Sequence, residues 1–399
     1  MNFIVSSAEL FKGINTVSRV ISSKSPMPIL NNCLLEVSKS KIKIVASDTE
    51  TTIVTEIKPD EVMATGTIAV GYKLLGDILK EIPDQPIEIM QTSKSNEGGE
   101  GEQGGEGEQE DGELNQLIDI ISSTGKFSIP VFDGDEFPDI PKVAGDEKVS
   151  FSVNPEILLS GISTALPATS SDELRPVLNG VFFELMEDRI NFVATNNSSL
   201  ARYSNQNFKI DEESSFVLPK KTGAMLKSLL IKQEEDVIIE FNKKFIKFVL
   251  DSSQVVSLRV EGNFPNYKSV LPDTIFNTIT LDRLEMTNAL KRVGLFTDKG
   301  NGLVILDCSE TEMIIMGQDV EFQTSGQETI KCEFSSSEGL TTLRLCFRAD
   351  FLIELLSDLS GESIQIKSAN INAGSLIQPL EEEEGEETLM LLMPLRYSV

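Results

Sequence analysis

The sequence contains no histidine and no tryptophan. Without an imidazole, no Ser-His or Cys-His nucleophilic pair can be built, and no zinc site can use a histidine ligand. The four cysteines, Cys33, Cys308, Cys332 and Cys346, include no Cys-x-x-Cys spacing. Three of them sit in alternating apolar stretches, so they read as buried free thiols. No apolar run approaches the ~20 residues of a membrane helix, and no membrane partner is expected. The opening Met1-Asn2-Phe3-Ile4-Val5 lacks the basic-then-apolar layout of a signal peptide, which makes the cytoplasm the expected location. No G-x-x-x-x-G-K-[ST] loop is present, so ATP hydrolysis is not expected. Bases are outnumbered: 35 Lys and Arg stand against 63 Asp and Glu, a net charge of -28. That balance argues against nucleic-acid binding through a broadly basic surface.

What is present modifies the charge argument. The 399 residues suffice for two to four domains with buried cores, and 40% of them are hydrophobic. Residues 97–113 hold eight acids and residues 381–387 hold six, neither with a base, so these two runs supply 14 of the 28 net charges. The segment 96–112, NEGGEGEQGGEGEQEDG, is too polar to bury itself and reads as a disordered loop inserted within a domain. Residues 381–387 read the same way.

The chain repeats itself. PILNNCLLEVSKSKIKIVAS from Pro28 aligns with PVLNGVFFELMEDRINFVAT from Pro176 at a constant offset of 148. A third copy, NGLVILDCSETEMIIMG, starts at Asn301. Three units of roughly 120 residues follow. Their boundaries are 1–146 (with the acidic insertion at about 96–113), 147–275, and 276–399 (with an acidic insertion at about 381–387). Each unit opens with a strand and an amphipathic helix, continues as an alternating hairpin, and adds a second helix and more strand. Capping signals mark the first helices: Ser6-x-x-Glu9 in one copy, Asn154-Pro155 in the next. The predicted class is α+β, three domains of antiparallel sheet with two helices each.

In this acidic chain the bases favour the helices. Lys12 and Arg19 lie off the Leu10/Ile14/Val17/Ile21 face of the first helix. Lys73 and Lys80 are seven apart on the second, and Lys220 and Lys227 on the fourth, with Lys221 beside them. Arg283, Lys291 and Arg292 mark the fifth helix, and Arg348 opens the sixth. For one helix this is an ordinary solvated face. Recurrence on five of six suggests one basic surface facing a polyanion.

With these features in place, the chain resembles the bacterial sliding clamps, the beta subunit family of DNA polymerase III. PILNN at Pro28, LNGVFFE at Leu178, VATNNSSLA at Val193, FPNYKSVLP at Phe264 and LLMPLR at Leu391 carry the resemblance. It implies a homodimeric ring of six domains, helices inside and sheets outside, around double-stranded DNA without regard to sequence. The ring would act as a processivity factor, with no cofactor and no metal. The implied partners are a second copy, the polymerase alpha subunit, the clamp loader and other proteins with a clamp-binding motif.

The resemblance also implies site residues. A peptide pocket would use Leu178, Thr195, Asn197 and Leu200, then Pro265, Val270 and Phe351, then Leu391, Leu392, Met393, Pro394 and Leu395, with Arg396 at the rim. Asn196, Asn197, Ser198 and Ser199 depart from the Asp-Gly-His-Arg pattern of many relatives, and Ser269 stands where many have Arg. Phe127 and Ile129 would meet Leu295 and Phe296 across the dimer interface. Lys24 and Arg175 would join the helix bases on DNA. The tail Tyr397-Ser398-Val399 runs past the usual end.

Two other readings fit fewer residues. Ser38-Lys39-Ser40-Lys41 and Lys221-Thr222-Gly223 match fragments of a penicillin-binding signature, but the first reads as a hairpin turn and the second lies on a helix. A non-catalytic peptide-binding scaffold that does not encircle DNA differs from the clamp only by the helix-face bases.

Overall fold

The computed structural model describes residues 1–22, 27–93, 116–143, 148–272 and 274–395. Lys24, Arg396 and the acidic run at 96–113 lie outside the described residues. Six α-helices are described: α1 Ser7–Val17, α2 Tyr72–Glu81, α3 Pro155–Ala165, α4 Lys220–Leu230, α5 Arg283–Val293 and α6 Ala349–Ser357.

The first helix of each repeat begins the same way. A short polar residue ends the opening strand and accepts a hydrogen bond from the first turn, because those N–H groups have no partner within the helix. Ser6 Oγ accepts from Glu9 N at 3.3 Å, Asn154 Oδ1 from Glu156 N at 2.8 Å, and Asp282 Oδ1 from Glu285 N at 2.6 Å. The helices then pack in pairs, α1 on α2, α3 on α4 and α5 on α6. Leu10, Ile14 and Val17 of α1 and Leu75 and Leu79 of α2 are buried.

Gly13 and Gly161, 148 residues apart, let α1 and α3 lie directly on a strand. A Cβ at 13 would come 2.6 Å from Ile44 Cδ1, and one at 161 would come 2.2 Å from Phe192 Cδ2.

The chain divides into two compact units. One holds Met1–Ser152 with Gln233–Leu258, and the other holds Val153–Lys232 with Arg259–Val399. The middle repeat is therefore shared: its strands Val237–Phe241, Phe245–Val249 and Ser253–Leu258 extend the sheet of the first unit.

In the first unit, Ser253–Leu258 of the second repeat pairs antiparallel with Thr51–Ile57 of the first, placing Val255 opposite Ile53. In the second unit, Glu386–Leu392 of the third repeat pairs with Ser199–Asn205 of the second, placing Met390 opposite Ala201. All four of these side chains are fully buried. Both seams end alike: Leu258 N donates to Glu50 O, and Met393 N donates to Ser198 O, each at 2.8 Å.

One expectation is corrected here. The second acidic run is not an unstructured insertion, because Glu386 and Glu387 already belong to a strand. Tyr203 Oη donates to Glu386 at 2.7 Å, Arg202 pairs with Glu387, and Gln206 N donates to Gly385 O at 2.8 Å. Opposite partners on the neighbouring strand order a run that composition alone presents as self-repelling.

Candidate functional site

The residues expected to form the peptide site lie in the second unit, around the turn that follows the strand Arg189–Thr195. Asn196 Oδ1 accepts from the N–H of Ser198 at 3.0 Å and of Ser199 at 2.8 Å, an Asx-type turn. Thr195 Oγ1 donates to Ser199 O at 2.7 Å and accepts from Asn197 N at 3.2 Å. Asn197 has φ 71, a left-handed backbone that Asn tolerates. Residues 393–395 cross this turn, tied by Met393 N to Ser198 O and by Leu395 N to Cys346 O, the latter at 2.8 Å.

Below lies a core of Val193, Leu200, Tyr267, Leu376, Leu389 and Leu391, with Phe182, Phe264 and Leu271 packed on it. Leu178 and Leu392 are buried as well. Above that core, Val270, Met393 and Leu395 are 55%, 43% and 37% exposed. Pro265 is exposed, and Pro394 and Phe351 are half-buried. The Arg348 guanidinium stands 5.0 Å over the Phe351 ring. Apolar side chains held partly in water by an ordered backbone suit apolar peptide anchors. The turn offers amide and hydroxyl groups. Arg175 Nη1 donates to Asn197 Oδ1 at 3.2 Å, and its Nε contacts Asp172 at 3.4 Å.

The floor is braced by a group that the sequence reading missed. Burial would raise the Glu184 carboxyl. Hydrogen bonds from Tyr267 and Asn191 at 2.7 Å, and from Lys268 at 3.0 Å, hold it below the usual carboxylate range instead. Gly374 was missed too: a Cβ there would meet Leu391 Cδ1 at 2.8 Å and Met393 Sδ at 3.2 Å.

The helix bases differ in exposure. Lys12, Arg19, Lys73, Lys80, Lys220, Lys221 and Lys291 are exposed. Lys220 and Lys221 occupy the first turn of α4, which has no acid, where the helix dipole disfavours cations. Four helix bases make the following contacts. Lys227 Nζ pairs with Asp358 at 3.0 Å. Arg283 donates to Leu356 O at 3.1 Å, at the end of α6, and to Gly361 O at 2.8 Å in the loop beyond it. Arg292 is bound by Glu328, and Arg348 is spread between the Phe351 ring and Asp350.

Two of the open sheet edges lie beside the predicted interface residues. Residues 126–130 of the strand Lys126–Asp133 pair on one side with Gln116–Ile121, and the next strand over meets only residues 131–133. In the second unit, Thr324–Lys331 is the outermost strand of a four-stranded sheet. Near the first edge Phe127 is 42% exposed and Ile129 is buried. Beside the second, Leu295 is 82% and Phe296 40% exposed. Buried Asp119 steadies the first edge, accepting from Ser128 Oγ at 2.5 Å and pairing with Lys126 at 2.9 Å. The Ser128 bond, with help from Lys126 and against burial, holds its carboxyl below the ordinary value.

Other chemistry is thin. Burial pushes the Cys33 thiol up to about 12 and raises Cys308, Cys332 and Cys346 as well. Ser38 lies in an exposed turn, with Ser38 N donating to Lys41 O at 2.9 Å. Among the described residues there is no cluster of three metal-ligating side chains, and no helix is long and apolar enough to cross a membrane.

Comparison with known proteins matches the whole length. Residues 1–141, 152–266 and 268–395 match, in order, family models for the N-terminal, central and C-terminal domains of the DNA polymerase III beta subunit. A beta sliding clamp of Synechocystis is 27% identical over 419 aligned residues, covering 99% of each chain. The solved DNA polymerase III beta subunit of Thermotoga maritima superposes with a TM-score of 0.83 at 23% identity, covering 100% of both chains. The DNA polymerase sliding clamp of Bacillus subtilis does so with a TM-score of 0.84 at 21% identity, again over 100% of both chains.

Proposed function

The chain belongs to the DNA polymerase III beta subunit family, the beta sliding clamps, which are non-catalytic processivity subunits, and we propose that it closes with a second copy into a ring around duplex DNA. The ring tethers the polymerase alpha subunit, the clamp loader and other motif-bearing proteins through the site at Met393, in the cytoplasm.

One observation carries the closure. The chain builds the same seam twice, and the parts for a third are left unpaired. Thr51–Ile57 and Ser199–Asn205 each end a three-strand meander and each receive the last strand of the following repeat. Thr324–Lys331 ends the same meander in the third repeat and has no such partner among the described residues. Lys126–Asp133 is the last strand of the first repeat, and its edge at 126–130 is open. Pairing these in the register of the two existing seams puts Phe127 of one copy opposite Gly326 of the other, and Ile129 opposite Thr324. Phe127 then meets the Phe296 ring. Two such seams in a head-to-tail pair cover both of these edges in each copy, removing two exposed templates for strand addition.

The charge distribution supports the DNA reading. Exposed lysines on helices of both units supply phosphate contacts, while the net charge of -28 repels DNA elsewhere. A ring holds its polymer by topology, so its contacts can stay weak, sequence-blind and salt-sensitive, which permits sliding. Lys220, disfavoured by its own helix dipole, is better satisfied by an external polyanion.

The test is retention after loading. The protein should stay on circular DNA and run off linear DNA, with a native mass of two copies. Peptide binding with equal release from both DNA forms would instead identify a scaffold that does not encircle DNA.

A further inference from the structure

The two seams inside the chain finish on a hydrogen bond to a turn carbonyl, Leu258 N to Glu50 O and Met393 N to Ser198 O. The strand Lys126–Asp133 cannot supply that bond. Ile129 sits opposite Ile118 in its hairpin as Ser257 sits opposite Ile246 in the equivalent one. The residue after Ile129, in the place of Leu258, is Pro130, which has no N–H. A proline at an outward-facing edge position costs its own sheet nothing, but it removes the last rung from any seam formed there.

The receiving turn differs as well. In the first two repeats the ladder stops at Ser47 opposite Thr52 and at Thr195 opposite Leu200. The intervening turns carry Asp48, Thr49 and Glu50, or Asn196, Asn197 and Ser198, all polar. In the third repeat the ladder runs on to Asp319 opposite Thr324. The tip holds Val320 and Phe322, which are 77% and 69% exposed. The tip is well formed, since the buried Asp319 accepts from Phe322 N at 3.0 Å through Oδ1. Two large apolar side chains are therefore held in water at the end of the one meander edge whose proposed partner strand carries an exposed proline at the last rung.

We propose that Val320 and Phe322 form an apolar clasp over Pro130 of a second copy, taking the place of the terminal hydrogen bond that ends the other two seams. The inference rests on the ring reading and names contacts beyond Phe127, Ile129, Leu295 and Phe296. Its occupant is fixed by continuity: the turn leads directly into Thr324–Lys331, the edge that awaits a strand, and Pro130 ends the stretch of edge left open on the other copy. Apolar contact is non-directional. It tolerates small slips at the end of the seam that a hydrogen bond would not.

Sedimentation of the full chain over a concentration series tests the clasp. Val320→Ser/Phe322→Ser should weaken dimerisation at least about tenfold, in the range of interface hot spots, while Val320→Leu/Phe322→Leu keeps it near wild type. Binding of an apolar-anchored peptide at Met393 should be unchanged in both, which reports an intact fold. Pro130→Asp attacks the same contact from another element and should also weaken the dimer. Phe127→Asp separates the two claims. A dimer lost with Phe127→Asp but unchanged with the serine pair and with Pro130→Asp overturns the clasp and leaves the ring. A wild-type chain that sediments as one copy overturns both.

Discussion

Phe296 lies over Gly326 so closely that a Cβ at 326 would fall 2.7 Å from the ring carbon Cδ2. The contact is within one unit, yet it prepares a surface: the glycine leaves room for the ring, and the ring stays 40% exposed. In the proposed seam Phe127 of the second copy arrives at that place. Gly326→Val should force Phe296 aside and block Phe127, an overpacking cost of about 1–3 kcal/mol, or roughly tenfold to a hundredfold in dimer affinity. Sedimentation equilibrium beside an unchanged far-ultraviolet circular dichroism spectrum would show it. A Gly326→Val chain that dimerises like wild type would argue against this placement of Phe127.

The close approach at Gly161 yields a prediction about folding stability. A methyl group there meets the Phe192 ring from 2.2 Å, and the ring is fully buried among other aromatic side chains. Gly161→Ala gains a little helix propensity, under ~1 kcal/mol, and loses more to overpacking, about 1–3 kcal/mol or above. Calorimetry should record a lower melting temperature. A rise would mean that α3 can lift from its strand without cost.

Peptide affinity should depend on Met393 and Leu395. Each is partly exposed on backbone fixed by a hydrogen bond, so truncation removes apolar contact without loosening the turn. Met393→Ala and Leu395→Ala should each weaken binding by about 1–2 kcal/mol, measured by titration calorimetry with an apolar-anchored peptide. Deleting residues 393–399 should abolish binding and spare the dimer.

The bases should split by role. Lys73→Glu, Lys220→Glu and Lys291→Glu should shorten retention on circular DNA and flatten its dependence on salt, with little change in melting temperature. Arg283→Ala should do the reverse, because its guanidinium donates to two backbone carbonyls, one at the end of α6 and one in the loop that follows. Its loss should cost about 1–3 kcal/mol in stability. Equal effects of all four on retention would refute the division.

The acid response follows from Asp119. Its carboxyl is held below the ordinary value, so the stabilisation is fully present above the unfolded value of about 3.9 and drains away as pH falls through the lowered native one. Urea midpoints should therefore fall more steeply below about pH 4 for wild type than for Asp119→Asn. Between about pH 5 and 8 the two should run parallel, since no histidine titrates there.

Much of the fold is legible in the sequence because the signals are local. Ser6, Asn154 and Asp282 announce their helices by chemistry that acts within one turn. The 148-residue offset that aligns Pro28 with Pro176 also aligns Gly13 with Gly161. What could not be read is partnership at a distance. Arg283 and Arg292 look like Lys12 or Lys291 in the sequence, and only the fold shows which cations meet a carbonyl or a carboxylate. Glu386 and Glu387 look like part of a solvated run until Tyr203 and Arg202 come alongside. The apolar string at Leu391 to Leu395 can be read in the sequence, whereas the contact of Tyr267 with Glu184 joins residues 83 positions apart.

The strands Ser253–Leu258 and Glu386–Leu392 each leave the repeat that encodes them to complete the sheet of the repeat before. The chain is modular in its gene-like periodicity and interlocked in its backbone. Excise the middle third, and both Ser199–Asn205 and Ser253–Leu258 become bare, adhesive borders. Proteolytic fragments cut at the repeat boundaries should consequently precipitate or swap strands, whereas a nick that leaves all the pieces in place should be tolerated.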